Sequence, residues 1–202
     1  MLADILERNL ALILVGTALI EASDELGFYH LGPRNQLWFL LEYAGITPTP
    51  IFTEAERKVL VNAKKDNVLN DMYKQLFFQK KESALLKHRI GITDLNRRRV
   101  VKNEDDPDAQ PTSEDVQRFV KQIDKHRPRV VAFLTKPEVF EKCFKPLYPM
   151  ANQQRGKQGF LISDSEVWLV GITSVRKDSD ALEQVFEEIA GRLVASRLNH
   201  DL

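Results

Sequence analysis

Several carboxylates that could act in catalysis lie shortly after apolar segments of the sequence. Asp94 lies beside Thr93 in a polar segment that begins at Gly91. Glu21 and Asp24 follow the first apolar run, in a stretch that favours solvated loop residues. A carboxylate that is partly withdrawn from water can activate a water molecule or stabilise developing positive charge. Asp94, Glu21 and Asp24 are therefore candidate catalytic groups, and a loop carboxylate that caps a turn is the structural alternative for Asp94.

Basic side chains form two clusters that could contact an anionic ligand. Phosphate contacts by such residues dominate affinity for nucleic acids and make it sensitive to salt. The flat guanidinium of arginine can also stack against bases. An ordinary solvated basic loop is the alternative interpretation of each cluster. The residues are Arg97, Arg98, Arg99 and Lys102 in the first cluster and Arg176 and Lys177 in the second, with Lys157 as a further candidate.

Composition limits the classes of protein. The 202 residues suit one domain, and 29 basic residues balance 29 acidic ones, so any nucleic-acid binding must come from a local patch. No apolar run reaches the roughly 20 residues that a membrane span needs. The first residues lack the cationic start of a secretory signal, so we expect a cytoplasmic or nucleoid protein that does not contact a membrane.

Cysteine and histidine usage argues against bound metals. Cys143 is the only cysteine, which excludes an internal disulfide and argues against a thiolate-held cluster. His88, His126 and His200 have no spacing typical of metal ligands, either with each other or with carboxylates. We predict neither a metal nor a cofactor.

Strand and helix patterns alternate along the chain. This alternation predicts an α/β fold, a three-layer α/β/α sandwich with a mainly parallel central sheet. Ligands bind such sheets beyond the carboxyl ends of the strands, here the loops after Gly16, Gly91 and Gly171. The predicted elements are strands at 11–16, 129–134, 160–163 and 167–171, helices at 33–45, 53–89, 112–126, 136–145 and 178–199, and a polar loop at 91–111.

Five blocks of the sequence together resemble a known family. The first block carries Gly16, Gly27, Phe28, Pro33, Asn35 and Trp38 in a fixed order. Segments 91–95, 129–134, 156–158 and 167–176 follow in sequence. Their order is similar to that of the mismatch-specific uracil-DNA glycosylase and thymine-DNA glycosylase family. The resemblance covers most of a single domain, residues 1–202, apart from a helical insertion at about 50–88, and implies the uracil-DNA glycosylase-like fold.

The resemblance implies a monofunctional, monomeric hydrolase of DNA repair. Such an enzyme flips a damaged or mismatched base out of double-stranded DNA and excises it by hydrolysing the N-glycosidic bond. The resemblance also implies roles for individual residues. Candidates that bind the flipped base are Gly16, Thr17, Tyr29, His30, Asn35 and Ser174, although Asn35 is expected to be mainly structural; candidates that bind DNA are Arg97, Arg98, Lys157, Arg176 and Lys177.

Four positions depart from the family pattern and leave the chemistry open. Ala18 stands where the family has a water-positioning asparagine, and Ile172 replaces a second asparagine. Leu19 and Ile20 replace a Pro-Gly pair and would narrow the pocket. One hypothesis is an active glycosylase in which Asp94 supplies the catalytic group, because the resemblance places the segment 91–95 in a loop over the base pocket. The second is a catalytically inactive DNA-binding or damage-sensing protein. The third is a different small ligand, or a protein partner on the helical insertion.

Overall fold

The computed structural model describes residues 2–26, 29, 35–47, 55, 83–103, 105–173 and 179–198. These residues form strands and helices that alternate along the chain. The elements are β1 (Leu12–Ile20), α1 (Glu21–Leu26), α2 (Leu37–Tyr43), α3 (Ser83–Lys87), β2 (Ile90–Val101), a short 3-10 helix (Pro107–Ala109), α4 (Ser113–His126), β3 (Val130–Phe133), α5 (Pro137–Phe144), β4 (Gly156–Ile162), β5 (Ser165–Leu169) and α6 (Ser179–Leu198).

The five strands form one sheet in the order β2-β1-β3-β5-β4. Strand β1 pairs in parallel with β2 on one side and β3 on the other, and β3 pairs in parallel with β5. Only β4, at one edge, runs antiparallel to its neighbour. The predicted α/β class with a mainly parallel sheet is confirmed.

Helices cover both faces of the sheet. Leu12 and Leu14 of β1 join one hydrophobic cluster with residues of α2 and α6, whereas Ile13 and Val15 join a second cluster with residues of α4 and α5. Alternate residues of a strand point to opposite faces, so one buried strand supplies both clusters. This arrangement is compatible with a three-layer sandwich. The second cluster is built around four fully buried aromatic rings, those of Phe119, Phe133, Phe140 and Phe144.

The first strand is longer than predicted. We expected a strand that ended at Gly16 and then a long loop, but β1 continues to Ile20 and α1 begins at the next residue. The extension is stabilised by β2, because Ala18 pairs with Asn96 and Ile20 with Val101. Ala18, half-buried Ile20 and Val101 pack around Ala109 in a small cluster of their own. Leu19 is buried in the first core rather than narrowing a pocket.

The predicted polar loop at 91–111 is largely wrong, because residues 90–101 form the twelve-residue strand β2. Because several residues of this segment are polar, its sequence lacked the apolar pattern that indicates a strand. Thr93, Asp94 and Asn96 are all buried, at 1%, 2% and 0% exposure. Asn96 is satisfied within the fold, since its side-chain nitrogen donates to the carbonyl of Asp108 at 2.7 Å.

Other elements agree with the sequence patterns. Helix α4 begins after Thr112, whose hydroxyl accepts from the backbone of Asp115 in a capping box. Helix α5 tolerates Pro137 because it occupies the first turn. Strands β4 and β5 form the expected antiparallel pair. Most of the predicted helical insertion at 50–88 lies outside the described residues, apart from Ala55 and the segment that includes α3.

Candidate functional site

The sheet has a topological switch point between β1 and β3. The chain leaves β1 toward α2, whose side chains belong to the first hydrophobic cluster, and leaves β3 toward α5, whose side chains belong to the second. The two connections therefore diverge to opposite faces of the sheet. Open α/β sheets bind ligands in a crevice at such a switch point, so we refer to this position as the crevice.

Two threonine hydroxyls meet across this crevice. The last backbone contact between the strands joins the Leu134 amide to the Val15 carbonyl at 2.8 Å. Beyond it, the side-chain oxygens of Thr17 and Thr135 lie 2.6 Å apart. Both residues are buried, so each hydroxyl satisfies the other in a site that water hardly reaches. Thr17 was expected from the sequence to bind the substrate, whereas Thr135 was missed.

The end of β5 adds a glycine and an arginine beside the crevice. The amides of Val170 and Gly171 both donate to the carbonyl of Phe133, at 3.0 and 3.2 Å, which holds the β5 end against β3. Gly171 has φ +97°, and a Cβ placed on it would lie 2.9 Å from Nε of Arg155. The guanidinium of Arg155 therefore lies directly against the Gly171 backbone.

Arg155 was not identified from the sequence, and neither was Thr135. A signal existed for Thr135, because it follows the apolar run of β3 and so falls at a carboxyl strand end. Arg155 precedes the antiparallel strand β4, and its proximity to Gly171 arises only from the pairing of Gly156 with Leu169.

Gly16 and Asp94 face each other on β1 and β2. Asp94 was expected in a loop over the pocket, and this placement is wrong, since it lies within β2 at 2% exposure. Its backbone carbonyl accepts a hydrogen bond from Nη2 of Arg118 at 3.2 Å. Strand pairing therefore places Asp94 next to Gly16, but the Asp94 side chain is buried. Ala18, the position of the family asparagine, is also buried in the strand.

A partly buried polar cluster surrounds Asp4, near the start of the described chain. Its carboxylate accepts from the hydroxyl of Thr93 at 2.7 Å and from Nε2 of Gln122 at 3.2 Å. Nε of Arg97 lies 3.2 Å from the same carboxylate. The hydroxyl of Tyr29 donates to Asp4 at 3.3 Å and accepts from Nη1 of Arg97 at 2.8 Å. This Asp4 cluster joins the N-terminal segment to β2 and α4.

Burial is the main reason that the pKa of the Tyr29 hydroxyl is raised far above its ordinary value. The negative charge of Asp94 raises the pKa further, and the positive charge of Arg97 opposes the increase. Tyr29 is only 2% exposed, so it stays a neutral hydrogen-bonding group. Its predicted contact with a substrate would require access that this packing does not offer.

Each arginine of the predicted 97–99 run lies beside a carboxylate. Arg97 pairs with Asp4, Arg98 with Asp115 at 3.1 Å, and Arg99 with Asp108 at 2.7 Å. The side chain of Arg97 is 15% exposed, whereas those of Arg98 and Arg99 are 44% and 55% exposed. The run is therefore much less positive in the fold than in the sequence.

Lys157 and Asn35 also have defined partners. Nζ of Lys157 lies 3.0 Å from Glu166, which also binds Arg192 of α6. Oδ1 of Asn35 accepts from the Thr173 hydroxyl at 2.8 Å and from the Leu37 amide at 2.9 Å. Asn35 thus connects the start of α2 to the segment that follows β5.

Several predicted site residues lie outside the described residues: His30, Ser174, Arg176 and Lys177. Within the described ranges, no three histidine, cysteine, aspartate or glutamate side chains cluster as metal ligands would. No described helix combines the length and apolar character that crossing a membrane requires. No protein-family model matches the chain.

Proposed function

We propose that the protein is a uracil-DNA glycosylase-like, monomeric protein that binds double-stranded DNA and excises a damaged or mismatched base, acting in the cytoplasm or nucleoid. One observation carries the proposal. Gly16 and Thr17, from the first block of the resemblance, and Gly171, from the last, lie at the same edge of the sheet, although most of the chain separates them.

The chemistry of the proposal uses one water and no cofactor. Extrusion of the base costs a few kcal/mol, least at a mismatch. The bond between the base and the sugar then breaks, and its electron pair leaves with the base. A water adds to the sugar carbon, and the proton that it loses passes to the departing base. The negative charge of Asp94 beside Gly16 would stabilise the positive charge that develops on the sugar.

A catalytically inactive DNA-binding protein is the second candidate, and a specific observation favours it. Asp94 is 2% exposed, and Ala18 has no side-chain donor or acceptor. A fold that retained the crevice but not the catalytic group would bind DNA, or sense damage in it, without cleaving the glycosidic bond.

A single-turnover excision assay tests both candidates. Labelled duplexes with G·U, A·U, G·T, hypoxanthine or ethenocytosine, and single-stranded uracil, are incubated with excess protein and then cleaved with alkali. We compare the wild type, Asp94→Asn and Ala18→Asn. Asp164→Asn, a change of an exposed carboxylate in the β4–β5 turn, is the matched control.

Excision that Asp94→Asn abolishes and Asp164→Asn preserves would support the active enzyme. Excision by Ala18→Asn alone would support an inactive protein with an intact pocket. Absence of excision by every variant, together with absence of DNA binding, would overturn both candidates. Circular dichroism of each variant checks that it is folded, because Asp94 is buried.

A further inference from the structure

The carboxyl edge of the sheet places hydrogen-bond donors on adjacent strand ends. Thr17 follows the part of β1 that pairs with β3, Thr135 follows β3, Gly171 follows β5 and Arg155 precedes β4. Neighbouring strands lie about 4.8 Å apart, so the guanidinium over Gly171 is roughly one strand spacing from the end of β3. The hydroxyl pair and the guanidinium therefore border one continuous strip of the edge.

Gly171 determines where the guanidinium lies. A Cβ at residue 171 would lie 2.9 Å from Nε, 3.4 Å from Nη2 and 3.5 Å from Cζ of Arg155. Contacts below 3.0 Å do not occur for real side chains, so any larger residue would displace the guanidinium. The φ of +97° at residue 171 also favours glycine. The close approach and the backbone conformation thus both depend on glycine.

Resting on the proposed function, we propose that Arg155 binds a phosphate of the DNA backbone next to the nucleotide held at the switch point between β1 and β3. A guanidinium has only donors, and its planar fork matches two oxygens of a phosphate. The distance of about one strand spacing between the end of β3 and the guanidinium is on the scale of a nucleotide and its flanking phosphate.

The experiment measures affinity for a fluorescent duplex with one G·U mismatch at several salt concentrations. Arg155→Gln should weaken binding about tenfold, the loss expected for one charged contact. It should also lower the slope of log affinity against log salt by about 0.9, because one phosphate contact is lost. Arg155→Lys should restore the slope but only part of the affinity, because lysine lacks the planar fork.

Two further variants separate this contact from a general effect of charge or folding. Lys125→Gln removes an exposed charge near the end of α4, at the opposite edge of the sheet, and should leave affinity and slope unchanged. Gly171→Ala keeps the charge but displaces the guanidinium, so it should also weaken binding. The thermal unfolding midpoint of each variant shows whether it is folded.

The outcomes distinguish this inference from the proposed function. Unchanged affinity and slope for Arg155→Gln, in a protein whose wild type binds DNA, would overturn the role of Arg155 alone. A wild type that does not bind DNA even at 50 mM salt would overturn the proposed function and this contact together.

Discussion

The side-chain oxygens of Thr17 and Thr135 lie 2.6 Å apart, just beyond the last backbone contact between β1 and β3. The sequence separates these residues by 118 positions. Their hydrogen bond links β1 to the residue that follows Leu134, at the switch point of the sheet. Both hydroxyls are buried, so neither can turn to bulk water if its partner is removed.

Thr17→Val should therefore lower the free energy of unfolding by about 1–3 kcal/mol, because the Thr135 hydroxyl is left buried without its partner. The measurement is urea unfolding followed by circular dichroism. Thr17→Val combined with Thr135→Val should cost less than the sum of the two single changes. Strictly additive losses would contradict a direct bond between the hydroxyls.

Asp4→Ala should lower the free energy of unfolding by about 2–3 kcal/mol, because it removes the acceptor for Thr93, Gln122 and Tyr29 and the charge partner of Arg97. Chemical unfolding measures this loss. Asp105→Ala is the matched control, since Asp105 is 83% exposed in its pair with Lys136 and should change stability by less than about 0.5 kcal/mol. Equal effects of the two changes would mean that the Asp4 cluster does not stabilise the fold.

Glu166 should make stability depend on pH below about 4.5. Hydrogen bonds from Arg192, and then from Lys157, lower the pKa of its carboxyl from about 4.5 to about 2. Because the folded-state pKa is lowered, the unfolded chain takes up a proton first as the pH falls. The stabilisation is complete above pH 4.5 and is lost as the pH falls toward 2.

Wild type and Glu166→Gln should therefore differ most in free energy of unfolding near pH 6 and converge toward pH 2. Unfolding in urea at several pH values measures the difference. The difference should also shrink in 1 M salt, since the ion pairs are partly exposed. A difference that is constant between pH 6 and pH 2 would contradict the lowered pKa.

Asn35→Ala should lower the free energy of unfolding by about 1–2 kcal/mol, because the Thr173 hydroxyl and the Leu37 amide lose their acceptor. Asn35→Asp keeps an acceptor oxygen at the same place and should remain close to the wild type in thermal unfolding. If the amide nitrogen of Asn35 also donates to DNA, Asn35→Asp would bind the duplex more weakly despite normal stability. A stable Asn35→Ala would show that these two bonds do not hold α2 to the segment after β5.

Local patterns predicted much of the fold. Apolar runs such as 130–133 and 167–169 lie in central strands. Thr112 and Pro137 lie at the starts of α4 and α5. These signals depend on neighbours in sequence, because a cap or an apolar face is built within a few residues. The sequence therefore indicated element type well where the signal was short-range.

Strand β2 shows where local patterns failed. Thr93, Asp94 and Asn96 resemble loop residues, yet they are buried because distant groups satisfy or surround them: Asp4 bonds Thr93, and the segment at 108–110 bonds Asn96. Polar residues enter a strand when the fold supplies their partners. The extension of β1 to Ile20 has the same cause, since it requires β2 beside it.

By itself, the sequence determined the α/β class, the mainly parallel sheet and the edge at which Gly16 and Gly171 were expected to meet a ligand. Only the tertiary structure decided the character of that edge. It buried Asp94, paired Arg97, Arg98 and Arg99 with carboxylates, and placed Thr135 beside Thr17 and Arg155 beside Gly171. The physical reason is that burial and charge pairing depend on residues far apart in the chain, which only packing brings into contact.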